Sequence, residues 1–281
     1  MKRMILFAIA MCIGLVSFAQ NYKNIFLGKD AYAYKGVYLK YKDKLILTPS
    51  YSFYEKKPTK AFQLPVYKRT EKYEFITDTT KLTNREFLVV NVEPFIPKIK
   101  ISRNRDTFDY VFEMNDGKET LYYVYDGEYD FNFPFLVKGF EYTTNYANKF
   151  INKRFDEFEE KTTYITPILD DMVLSKHIKD NDVKYYLSLY TIGSTLNYGG
   201  KGVFVIFEDG TKWVKESEEI DVENIKGSNW GYKAFIPLNQ KDLEIFSNKV
   251  VKKFRLYIYD NESPKNNQLF PYLVQSIIKM F

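Results

Sequence analysis

Apolar and polar residues alternate with a period of two over much of this chain, which is the pattern of strands with one face buried. In residues 31–47, AYAYKGVYLKYKDKLIL, the positions Tyr32, Tyr34, Val37, Leu39 and Tyr41 alternate with smaller or charged residues. This predicts a half-buried strand broken at Gly36. Residues 48–65 carry Pro49, Pro58 and Pro65 and read as loop or edge. EFLVVNVEPF, residues 86–95, is a dense strand run stopped by Pro94 and Pro97. Residues 106–131 then read strand, turn, strand, because Asn115-Asp116-Gly117 supplies side chains that tolerate positive φ.

The period changes at residues 145–160. Ala147, Phe150, Ile151, Phe155 and Phe158 fall at spacings of three and four, which predicts an amphipathic linker helix and a domain boundary. Period-two patterning resumes in KYYLSLYTI (Lys184 to Ile192). It continues after Gly199-Gly200, where Val203, Val205 and Phe207 lead into an Asp209-Gly210 turn. A strand over Tyr232 to Leu238 stops at Pro237. Asn239 and Asp242 then form a capping-box pattern that opens a short helix through Leu243 and Phe246. In KKFRLYIYD, Phe254, Leu256 and Ile258 fall on one face and Arg255, Tyr257 and Tyr259 on the other.

Counting back by twos from Phe281 gives Lys279, Ile277, Gln275 and Leu273, so the closing strand of a membrane barrel is not present there. Leu269, Tyr272, Leu273, Ser276, Ile277 and Met280 fit a helix face, with Asn267 as N-cap and Pro271 in the first turn. The expected fold is mainly β with a few short helices. Two antiparallel β-sandwich or small-barrel domains, residues 20–144 and 161–281, flank the linker, and the terminal helix packs on the second.

The N-terminus follows another logic. Lys2 and Arg3 precede an apolar run from Met4 to Val16, and Ser17-Phe18-Ala19 ends it before Gln20. That order is a secretory signal peptide over residues 1–19, with cleavage between Ala19 and Gln20. The run is shorter than the ~18 residues of a spanning helix, so no transmembrane span is expected in the mature chain. Met11 before Cys12 and Ile13 to Val16 after it do not fit lipid attachment. Cleavage would remove the single cysteine, and with it disulfides, thiolate nucleophiles and cysteine-ligated zinc. The expected location is periplasmic, cell-surface or extracellular.

Charge then narrows the partners. Loss of Lys2 and Arg3 takes Lys+Arg from 41 to 39 against 36 Asp+Glu, a formal +3 without a long basic run, so nucleic acid is not expected. Hydrophobic residues at 45% and aromatic residues at 18% supply enough apolar surface for two cores and exclude a disordered chain.

The signal ending in Ala-Gln, LTNREFLVVNV with YYVYDGEYDFNFPFLV, and FVIFEDGTKW with AFIPLNQKDLEIFSNKVVKKFRLYIYD resemble phrases in uncharacterised secreted, β-rich envelope proteins of Bacteroidota. The resemblance spans about residues 82–260 and contains no catalytic motif. It implies an exported β-rich protein and no particular activity. FEMNDGK and FEDGTK also resemble one another, as a duplicated strand-turn-strand unit would.

Catalytic material is sparse. His177 is the single histidine, in SKHIKDND, which reads as a charged, exposed loop. A histidine-based metal site cannot be assembled from one histidine, and no metal or cofactor is expected. GxSxG, GxxxxGK[ST] and GxGxxG after a strand do not occur. A glycoside hydrolase needs two carboxylates at a set separation, and Asp126 with Asp130, Asp170 with Asp171, and Asp180 with Asp182 are the candidate pairs. Each falls where a turn needs such a side chain. Asp180-Asn181-Asp182 is a fragment of a calcium loop without the rest of the pattern.

Aromatic rings are the remaining functional material. Trp213 follows the Asp209-Gly210 turn, and Trp230 sits in GSNWGY, read as a glycine-flanked loop. Rings on a rigid β scaffold stack on sugars or anchor a protein, and the alternative is ordinary packing. Three functions follow: a non-catalytic exported module binding a glycan or envelope protein, a carboxylate-dependent glycoside hydrolase, and a structural envelope component.

Overall fold

The computed structural model describes residues 22–42, 53–58, 77–95, 109–127, 133–225, 229–261 and 267–280. The signal segment with Ala19 and Gln20, most of the proline-bearing stretch 48–65, and Asp130 lie outside them. The chain divides into two compact units, Met1–Phe140 and Glu141–Phe281.

Among the described residues, unit 1 forms one antiparallel sheet of β1 (Tyr38–Tyr41), β2 (Phe53–Tyr54), β3 (Glu86–Pro94), β4 (Asp109–Asn115), β5 (Thr120–Asp126) and β6 (Phe135–Lys138), ordered β2-β5-β4-β3-β1-β6. The expected hairpin is β4–β5. Asp116 Oδ1 accepts from the N–H groups of Lys118 and Glu119, and Gly117 takes φ of +86°. The sheet curls without closing. Its edge strands β2 and β6 bring Phe53 and Phe135 to 5.8 Å between ring centres, and Tyr34, Phe87, Phe112, Tyr123 and Tyr125 fill the concave side.

The strand expected from Tyr32 starts later. Ala31–Tyr34 is a 3₁₀ turn, because the Tyr34 hydroxyl turns inward, accepting from Leu27 N at 2.9 Å and donating to Ile25 O at 3.1 Å. Gly36, at φ of +85°, then turns the chain into β1.

Unit 2 has two antiparallel sheets. The larger contains β7 (Asn152–Asp156), β8 (Lys161–Ile165), β9 (Met172–Lys179), β10 (Asp182–Gly193), β13 (Asp221–Asn224) and β14 (Trp230–Leu238), ordered β13-β14-β10-β9-β8-β7. The smaller contains β11 (Lys201–Phe207), β12 (Lys212–Glu219), β15 (Val251–Leu256) and β16 (Tyr259–Asn261), ordered β12-β11-β15-β16. Leu187, Leu189, Ala234 and Ile236 of the larger sheet share one apolar core with Val203, Val205, Phe254 and Leu256 of the smaller. The chain changes sheet between β12 and β13 at buried Ile220, whose N–H donates to Gly200 O at 3.1 Å.

Among the described residues, three α-helices accompany these sheets: α1 (Thr144–Asn148), α2 (Gln240–Asn248) and α3 (Phe270–Lys279). The capping box at α2 is present, with Asn239 Oδ1 accepting from Asp242 N and Asp242 Oδ2 from Asn239 N. Helix α3 buries Leu273, Ser276 and Ile277 of the face the terminal pattern predicts, and Phe270 and Val274 besides. Its start differs: a 3₁₀ turn, Asn267–Leu269, leads in, and Leu269 holds the N-cap position. The α3 C-terminus meets Lys176, a buried lysine whose Nζ donates to Ile278 O at 3.2 Å and to Met280 O at 2.5 Å. A cation there satisfies carbonyls that have no partner within the helix.

The linker helix over 145–160 is corrected. Helical geometry stops at Asn148, and β7 and β8 pair as a hairpin from Asn152↔Ile165 to Asp156↔Lys161. A helix there needs Phe155 and Phe158 to face an interior, whereas they are 61% and 102% exposed. The unit boundary falls at Phe140, so α1 belongs to unit 2. Ile258 is also corrected: β15 ends at Leu256, Tyr257 takes φ of +56°, and Ile258 lies on an exposed turn.

Candidate binding surface

Neither tryptophan is a free platform. Trp213 is the second residue of β12 and is 5% exposed, with its ring edge-on to Phe246 at 5.0 Å. Its Nε1–H donates to Asp242 Oδ1 at 2.7 Å. Position 213 is on the inward phase of β12, so a ring expected at the surface lies in the core. Trp230 opens β14 opposite Gly193 and Asn224, and its half-buried ring packs on the core. The glycine-flanked loop expected there is instead the beginning of a strand.

The exposed rings lie elsewhere. In β14, Tyr232, Ala234, Ile236 and Leu238 point inward, which sends Lys233, Phe235 and Pro237 to the solvent face. Phe235 is 51% exposed and stacks on Tyr186 of β10, with ring centres 4.5 Å apart and planes 13° apart. The pairing Tyr186↔Pro237 and Ser188↔Phe235 makes these rings diagonal neighbours, a contact that long side chains reach across strands. Pro237 is tolerated because, among the described residues, β13 pairs with β14 only over Trp230–Lys233, so no partner strand needs its missing N–H.

His177 extends the row. It sits in β9 opposite Lys184, with its ring 5.0 Å from Tyr186, which corrects the exposed-loop reading. The residues KHIK were read as loop because of their charge, but strand pairing on both sides holds them flat. Burial holds the His177 imidazole below its ordinary value, and Lys161 lowers it further against an opposing pull from Glu159. The neutral ring shares a hydrogen bond of 3.1 Å between Nε2 and Ser175 Oγ.

Of the candidate carboxylates, Asp170, Asp171 and Asp180 are turn residues, and Asp126 and Asp182 stand at strand ends. Asp170 and Asp171, at φ of +46° and +63°, form the two-residue turn between Leu169 and Met172. Asp180 and Asn181, at +49° and +67°, do the same between β9 and β10. Both have the positive φ of a hairpin turn that Asp and Asn accept. Asp171 Oδ2 accepts from Asn261 Nδ2 at 2.9 Å, and Asp182 pairs with Lys184 at 2.9 Å. Asp126 ends β5 opposite Asp109. Among the described residues, no group of three metal-ligating side chains converges, at Asp180-Asn181-Asp182 or elsewhere.

The surface that emerges is a row across three strands, Phe235, Tyr186 and His177, bordered by Lys233 with its Glu223 ion pair. Sequence reasoning passed over Phe235 because tryptophan drew attention by type. The informative signal was phase: an aromatic residue on the otherwise polar register of an alternating strand. No family model matches the chain, and no curated protein or solved structure does either.

Proposed function

We propose that the chain is an exported, non-catalytic binding module of the bacterial envelope, and that unit 2 engages its partner through the outer face of the larger sheet. The observation that carries this reading is solvent-exposed Phe235 stacked on half-buried Tyr186. An exposed ring held in this way leaves apolar area in water, which a partner would cover. The partner class it favours is an envelope protein rather than a glycan. Tyr186 stacks on Phe235 and is tilted 54° against His177, so the face is a packed cluster of rings, the kind of surface an apolar protein side chain meets.

The test places a photoreactive amino acid at position 235 in the full chain, expressed in its native envelope. The expected result is one discrete protein adduct, weakened at least about tenfold in affinity by Phe235→Ala when the purified pair is measured. A glycan-array signal that depends on Phe235 would assign the surface to sugars instead. A hydrolytic activity abolished by His177→Ala would favour the carboxylate-hydrolase reading. Export itself predicts a mature mass beginning at Gln20 without an acyl chain.

A further inference from the structure

The β7–β8 hairpin presents a second aromatic feature, distinct from the stacked pair. All five residues of β7 are exposed, so the hairpin extends past the core of unit 2. Phe158 stands at its tip with full exposure, and Phe155 is 61% exposed on the strand below. The tip is built to hold this ring outward. Asp156 Oδ1 accepts from the N–H groups of Phe158 at 3.0 Å and Glu159 at 3.1 Å, and Glu160 takes φ of +51° to return the chain into β8. A loop closed by its own backbone contacts presents an anchor with little ordering left to lose on binding.

At the tip itself the charge is acidic, and Lys153, Arg154 and Lys161 lie on the strands below it. Asp156, Glu157, Glu159 and Glu160 surround Phe158, and of these Glu159 is ion-paired, to Lys161. We propose that this tip is a docking anchor for a protein partner, in which Phe158 enters an apolar socket whose rim carries lysine or arginine. Anionic lipid repels such a tip, and two tips repel one another, so the charge selects a basic protein surface. The inference rests on the binding-module reading and adds the chemistry of the partner.

The experiment places the photoreactive amino acid at position 158 of the full chain in its native envelope, with a control at exposed Glu216. The adduct is then identified, and the purified partner is titrated against the full chain. The expected result is a cross-linked segment with basic residues around apolar ones. Binding falls at least about tenfold for Phe158→Ser and for the double change Glu157→Lys, Glu160→Lys, and weakens as salt rises. Unchanged thermal midpoints for these exposed variants show that the fold is kept. The proposal is overturned by an adduct shared with the Glu216 control, by binding that ignores the tip variants, by Phe158-dependent binding to phosphatidylglycerol vesicles, or by self-association that Phe158→Ser removes. Binding lost in Phe235→Ala but intact in both tip variants overturns this inference and leaves the proposed function standing. Absence of any adduct at both 158 and 235 removes both.

Discussion

The indole N–H of Trp213 donates to Oδ1 of Asp242 across 2.7 Å, joining strand β12 to the first turn of α2. Asp242 Oδ2 accepts from Lys215 Nζ at 3.1 Å and from the backbone N–H of Asn239 at 3.2 Å. One buried carboxylate thus closes the capping box, ties a helix to a sheet edge and fixes the tryptophan ring in the core. Trp213→Phe removes the donor while keeping most of the apolar volume. It is expected to destabilise by about 1–3 kcal/mol, read as a lower urea midpoint with unchanged slope.

The same carboxylate sets an acid limit. Burial pushes the Asp242 carboxyl up, but the hydrogen bonds from Trp213 and Lys215, the Asn239 N–H and the Lys215 charge together hold it below its ordinary 3.8. Asp209 is held at about 2 by Lys249 and Thr211. Both groups are depressed, so the folded state binds fewer protons than the unfolded one. Their stabilisation is complete above 3.8 and is lost as pH falls through the folded values. Thermal midpoints should therefore drop as pH is lowered from 4 towards about 2, and Asp242→Asn should flatten that slope. An unchanged slope in Asp242→Asn would show that this carboxylate does not report on folding.

Residues 256 and 258 separate a core position from a turn position that shares its sequence phase. Leu256 is fully buried opposite Val203, whereas Ile258 is 56% exposed. Leu256→Ala should cost about 2–5 kcal/mol. Ile258→Ala and Lys252→Ala should each cost less than about 0.5. Denaturant titration of the three variants decides this, and equal costs at 256 and 258 would mean that β15 continues as one strand.

Gly193 ends β10 beneath two tyrosine rings. A Cβ there would lie 2.6 Å from Tyr259 Cζ and 2.7 Å from Tyr232 Cε2. Neither ring is free to retreat, because both hydroxyls donate to Thr195 O, with Tyr259 also accepting from Asn197 Nδ2 at 2.9 Å. Gly193→Ala should destabilise by about 1–3 kcal/mol through overpacking. Calorimetry of Gly193→Ala against Gly210→Ala distinguishes the causes, since Gly210 has open space and is strained by its φ of +81° alone.

Local chemistry explains what was legible in the sequence. The strands β3, β4, β5, β10, β11 and β14, the hairpin at Asn115-Asp116-Gly117, the capping box at Asn239 and Asp242, and the terminal helix α3 were all readable. Each depends on residues within one element. FEMNDGK and FEDGTK look alike for such a reason: both place an aspartate whose Oδ1 accepts a backbone N–H two residues on, in Lys118 and in Thr211.

Tertiary structure decided the rest. A spacing of three and four between apolar residues implies a helix only if an interior lies beside it, and pairing of β7 with β8 left Phe155 and Phe158 facing water. A run of charge around His177 implies a loop only if no strand lies on either side, and β8 and β10 hold it within a sheet. The roles of the aromatic residues were decided last, because type does not set exposure. Trp213 went inside, where Asp242 met its N–H, and Phe235 went outside because the alternation of β14 left it on the solvent side. The period of a strand divides its residues between two faces. Only the packing of the second sheet, which took Ala234 and Ile236 into its core, made the face with Phe235 the outer one.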